Sequence, residues 1–191
     1  MTGPFGRVPA ARRRAVQHAS TAVAVGLLVT ITVLGLPLRT DAAPLGLVSL
    51  QLAASPDVAA RMLDSWASGL RSRVLWTHGL DLVLPFAYAL AVGTAATRAA
   101  ARVASVGPSA QIAAGAVLVA SIADQVENVA MVLTILDVPS WGSVLVTLAS
   151  ATIKFATLAV AIGALGVTLQ RARHDSGVDD GVGAGDAGPG A

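Results

Sequence analysis

The sequence predicts an all-α fold: an integral membrane bundle of four transmembrane helices with one amphipathic helix on its outer side. Three observations carry this. Hydrophobic side chains make up 54% of the 191 residues and charged ones 13%, about half of the roughly 25% charge usual in a soluble domain. Mean hydropathy is +0.71. The apolar residues also gather into four runs long enough to cross a bilayer, which needs about 20 residues per helix. The chain has no cysteine, which excludes a disulfide framework, a thiolate nucleophile and Cys-ligated zinc or iron–sulfur. Twelve of the 13 basic residues are arginine, a skew expected of a GC-rich bacterial genome.

Taken in order, residues 1–19 read as a basic cytoplasmic arm with Arg12, Arg13 and Arg14 in it, expected to be disordered. Ser20 to Leu38 is a run of 19 uncharged residues. At about 1.5 Å per residue it spans roughly 28 Å, close to the hydrocarbon thickness. A secretory signal is the rival reading, since Thr40-Asp41-Ala42 resembles a cleavage site. Signal h-regions run to only about 7–15 residues, so a retained first helix is favoured.

The loop 40–73 contains Ser55-Pro56-Asp57, a helix start with a capping hydroxyl, a proline at the first helical position and an acid in the first turn. Val58, Met62, Leu63, Trp66 and Leu70 then fall on one side, predicting an amphipathic helix over about 56–70. It reads as a connector packed on the bundle, with a lid as the alternative. The remaining spans are expected at about 74–97, 111–136 and 141–169. Only Asp137 to Ser140 separates the last two, which forces an antiparallel hairpin. Residues 20–170 thus form a single membrane domain. From 171 to 191 the chain becomes a Gly/Asp-rich cytoplasmic tail without large hydrophobes, expected to be disordered.

Arginines near the spans set the orientation. With the N-terminus inside, Arg7, Arg12, Arg13, Arg14, Arg98, Arg102, Arg171 and Arg173 are cytoplasmic, and Arg39, Arg61, Arg71 and Arg73 lie outside. Trp66, Trp76 and Trp141 then fall at the outer boundary, where amphipathic rings prefer to sit. The expected location is the cell membrane, multi-pass, with both termini cytoplasmic.

The chemistry lies in polar residues where hydrocarbon is expected. His78, Asp81, Pro85 and Tyr88 share one face of the second span. Asp124, Glu127 and Asn128 share a face of the third, which Ala116 and Ala120 continue as a packing surface. The fourth carries Lys154, the only lysine, with Thr147 and Ser150 on its side. Residue counting puts Asp124 and Lys154 at one depth near the midplane, predicting an ion pair. Asp81, Glu127, Asn128 and His78 form a polar mouth above it. Three acids facing one lysine leave an excess of negative charge.

Leu80-Asp81 with Tyr88, Asp124-x-x-Glu127-Asn128 and the lysine of the last span resemble a widespread group of small four-helix bacterial integral membrane proteins. The outer segment ending in Trp66 fits the same pattern, and the resemblance covers about residues 20–169. It implies the four-span topology and marks the polar residues; it implies no activity.

Several readings of the cluster stay open. It is an outward-facing pocket for a small ligand, an ion or a lipid head group, or it is a structural network in a subunit that only holds helices or partners together. A cation path through the carboxylates, or an intramembrane enzyme using Asp81, Asp124 or Glu127 as acid or base, are further alternatives. No nucleophile motif, phosphate loop or HExxH is present, so the sequence leans away from an enzyme. His78-x-x-Asp81 and Asp124-x-x-Glu127 form the weakest reading, two ligand pairs for a metal. No cofactor is called for. The expected partners are the lipid bilayer and a second copy or another membrane protein, with no nucleic acid; the arginines of the arm are read as a topology signal.

Overall fold

The computed structural model describes residues 4–66 and 68–179. These residues are all helix, turn or loop, and four helical segments are long and apolar enough to cross a membrane. The first is α1 (Ala10–Gly35), which runs into a 3₁₀ turn at Leu36–Leu38. Pro37 causes that change, because it lacks an amide and its ring crowds the carbonyl four residues back. Two short helices follow, α2 (Leu47–Gln51) and α3 (Pro56–Ser65). The second crossing segment consists of two pieces, α4 (Ser68–Asp81) and α5 (Leu84–Arg102). The third is α6 (Gly107–Leu136) and the fourth α7 (Trp141–Asp179).

α6 and α7 form the expected hairpin, α5 packs on both, and α1 lies along α5 and α4. Half of the most apolar stretch of α6 is buried within the protein, against 6% of that of α1. α6 is therefore the centre of the bundle and α1 its outermost strut.

Residues 38–66 form a cap over one end of the bundle. Leu38, Ala43, Leu50, Ala59, Leu63 and Trp66 bury their side chains together with Val74 of α4, Met131 and Ile135 of α6 and Val144 of α7. Gly46 has φ +61, a left-handed conformation that permits the tight return of the chain over Leu38. The connector reading of this segment matches the packing: it is fastened to the helix ends.

The expected helix over 56–70 is shorter. It starts as the sequence indicates, with the Ser55 hydroxyl accepting from the Val58 amide at 3.3 Å, but it stops at Ser65. Trp66 takes an extended backbone and turns its indole inward, where Nε1 donates to the Leu38 carbonyl at 2.8 Å. Trp66 is thus 3% exposed and belongs to the core of the cap, unlike Trp76 and Trp141, which are exposed.

Helix extends further toward both ends of the described residues than expected. The arm makes a 3₁₀ turn at Pro4–Arg7 and α1 begins at Ala10, well inside the segment 1–19 expected to be disordered. α7 continues to Asp179, past residue 171 where the tail was placed; residues 180–191 lie outside the described ones. A helix of 39 residues is about 58 Å long, far more than one membrane crossing needs.

Candidate intramembrane polar site

Pro85 organises the site before any charge does. It has no amide to offer the Asp81 carbonyl, so the helix breaks after Asp81 and resumes at Leu84. Carbonyls freed in an apolar setting must find other donors. α6 supplies them from one helical stripe: Gln125 Nε2 donates to the Leu82 carbonyl at 2.8 Å and Asn128 Nδ2 to the Asp81 carbonyl at 3.3 Å. Ser121 Oγ, on the same stripe, adds a bond to the Pro85 carbonyl in the first turn of α5 at 3.2 Å. Asn128 therefore acts first as a clamp on the broken helix. Sequence reasoning missed Ser121 and Gln125, although a proline in a span opposite a Ser-x-x-x-Gln-x-x-Asn stripe was the available signal.

The next stripe of α6 carries the charges. Lys154 Nζ lies 3.3 Å from Asp124 Oδ1 and 2.7 Å from Glu127 Oε2. The expected Asp124–Lys154 pair is thus a triad, with the lysine joining two levels of acid through its flexible stem. The contact with Glu127 is an ion pair outside hydrogen-bond geometry, whereas that with Asp124 is also a hydrogen bond. Asp124 Oδ2 accepts a second bond from the Tyr88 hydroxyl at 3.1 Å. The ammonium also stands 4.7 Å from the centre of the Phe155 ring, within the range of a cation–π contact.

His78 faces the same place, with Nε2 3.1 Å from the backbone carbonyl of Asn128. A carbonyl only accepts, so Nε2 carries the hydrogen and Nδ1 of the neutral ring is left as an acceptor. That acceptor has no partner among the described residues, nor do Glu127 Oε1 and Asn128 Oδ1. The Thr147 hydroxyl, two turns above Lys154 on α7, is buried and unpartnered as well. Asp81 is half-buried at the end of α4. The contacts above make two groups, Tyr88–Asp124–Lys154–Glu127 on one side and His78 with Asn128 on the other, the second reaching Asp81 only through its backbone carbonyl.

The mouth expected above the pair is closed. His78 is 1% exposed, Glu127 and Asn128 are 0%, and one turn beyond Glu127 the buried Met131 already belongs to the core of the cap. A groove of about 620 Å³ does open between α6 and α7, lined by Val126, Val129, Leu133, Ser140 and Ser143 among others. Gln125 edges it, but none of the charged residues of the cluster lines it.

The metal reading of His78, Asp81, Asp124 and Glu127 fails on geometry. Among the described residues no three His, Cys, Asp or Glu side chains are arranged to hold a metal ion. The reason is visible: the Lys154 ammonium occupies the place between Asp124 and Glu127 where a cation would sit. No family model, no curated protein and no solved structure matches the chain.

Proposed function

We propose that the protein is a small multi-pass protein of a bacterial cell membrane whose buried cluster binds a small cation or the amine of a lipid head group. The observation that supports this reading is the kind of bonding capacity left over. His78 Nδ1, Glu127 Oε1 and Asn128 Oδ1 are all acceptors, buried and unpartnered. Burying such groups is costly unless something donates to them. Beside them, two carboxylates share a single ammonium. A ligand that brings positive charge and several donors answers both needs. A proton on Glu127 is the smallest such ligand, and an ammonium or amine head group is the largest that a closed cluster accommodates without moving the cap.

The arginine distribution supports a cytoplasmic position for both termini, which puts the cap 38–66 outside, between the site and the outer surface. The resemblance to small four-helix bacterial membrane proteins belongs to the same reading, and the four long apolar helices fit it.

The test is thermal stability in lipid nanodiscs, titrated separately with ammonium, ethanolamine and acid. A saturable rise in Tm with one of them, absent in Glu127→Gln, is the expected result. A flat response to all three leaves the second reading, a subunit without a ligand of its own. One observation favours that reading: Ser121, Gln125 and the Asn128 amide nitrogen all hold the broken helix to α6.

A further inference from the structure

The arm ahead of α1 reaches into the bundle. Phe5 is 6% exposed and packs with Ala89 of α5, Val117 of α6 and Ala161 of α7, where those three helices meet. Its seat is lined by small side chains, and at Gly93 there is no side chain because a Cβ would overlap the Phe5 ring. Arg13 clasps the arm from the first turns of α1, with Nε donating to the Val8 carbonyl at 2.8 Å and Nη2 to the Gly6 carbonyl at 3.1 Å. The first helix is itself tied to α5, where Arg98 Nη1 donates to Gln17 Oε1.

Height along the helices relates this ring to the polar cluster. Val117 lies two turns from Asp124 on α6, and Ala161 two turns from Lys154 on α7, a separation of about 10 Å. Tyr88 fills the interval: its ring packs against the Phe5 cluster and its hydroxyl bonds Asp124. The acids are therefore sealed at both ends, by the cap on one side and by Phe5 and Tyr88 on the other. The two seals differ in kind. The cap is a folded segment tied to the bundle at both of its ends, whereas the arm is held by one buried ring, Phe5, and by the two Arg13 hydrogen bonds to its backbone.

We propose that the N-terminal arm is a removable plug, and that withdrawal of Phe5 opens a water path between α5, α6 and α7 toward Tyr88 and the Asp124–Lys154–Glu127 triad. This rests on the reading of the cluster as a ligand site and specifies how that site is kept closed from the arm side. The parts match the role. The ring fills a hollow that small residues leave, Gly93 gives it room, and Arg13 holds it with two hydrogen bonds to backbone rather than with buried packing.

Because the chain has no cysteine, thiol labelling has no background and gives a direct test. Ala89→Cys is made in the full-length chain in nanodiscs and exposed to a water-soluble thiol reagent. Labelling is expected to be slow in the otherwise unchanged chain. It should be at least tenfold faster with Phe5→Ala, and equally with Gly93→Val, which evicts the ring while leaving Phe5 in place. Met131→Cys, beneath the cap, should remain unlabelled in both backgrounds. Equal labelling of Ala89→Cys with and without the ring overturns the plug, as does simultaneous opening at Met131, which means general loosening. Should Phe5→Ala not fold, Arg13→Ala releases the clasp alone and is read in the same way. Labelling needs no ligand, so a failed ligand titration leaves this result intact, and the reverse also holds.

Discussion

Replacing Lys154 by methionine removes the one cation from between two buried carboxylates and keeps most of the side chain's length. In soluble proteins, removal of one partner from a buried ion pair costs about 3–5 kcal/mol. Within a membrane, polar contacts average about 0.6 kcal/mol and reach about 1.7. Two contacts are lost together, at 2.7 and 3.3 Å, so the expected destabilisation is about 1–3.5 kcal/mol. Second-site changes then apportion it. Adding Asp124→Leu recovers part of the loss, because Glu127 remains buried without a cation. Adding Glu127→Leu recovers more: its contact is the shorter one, and Asp124 still has the Tyr88 hydroxyl. Only the triple change restores most of the stability. The assay is thermal or denaturant unfolding in one detergent across all combinations, with coupling above about 0.5 kcal/mol taken as contact. Strict additivity throughout would refute the triad, and full recovery by Asp124→Leu alone would remove Glu127 from it.

The clamp on the broken helix gives a second cycle. Asn128→Ala should cost about 1–2 kcal/mol by orphaning the Asp81 carbonyl, and less than about 0.5 kcal/mol in a Pro85→Ala background, where the restored backbone amide meets that carbonyl. Equal cost in both backgrounds, measured by unfolding, would mean that the bond to Asp81 is not the source. Trp66→Phe keeps a ring in the cap but deletes the bond to Leu38; a loss of about 0.5–1.5 kcal/mol and faster protease cleavage within 39–66 are expected, and unchanged cleavage would argue against this fastening. Reporter fusions after Gly107 and Arg173 should read cytoplasmic and one after Asp57 external; an internal signal at Asp57 inverts the orientation.

The four long helices were legible because hydropathy is a sum over many residues and survives local errors. The α6–α7 hairpin was legible because four residues leave a chain no other way to turn. Asp124, Glu127 and Lys154 could be grouped from spacing alone, since helix geometry fixes height. The reach of a side chain is not fixed by height, which is why a pair was expected and the lysine bridges both acids. The end of α3 at Ser65 was hidden because periodicity continues through Trp66, and only the tertiary bond to Leu38 reveals that the indole turns inward. Phe5 was hidden for a similar reason. A lone aromatic in a Gly/Pro-containing arm reads as disordered until the hollow beside Gly93 is known to exist.

The interruption at Pro85 has a mechanical consequence. Rods are stiff and joints are not, and the second crossing segment is two rods meeting at Leu82 and Val83. The upper rod is bolted to the cap through Val74; the lower one, at Gly93, bears on the arm. Torque applied at one end of the molecule therefore reaches the other through a joint whose fasteners, Ser121, Gln125 and Asn128, all sit on a neighbouring helix. Those three side chains tie both rods to α6, so α6 braces the joint between the two ends of the protein.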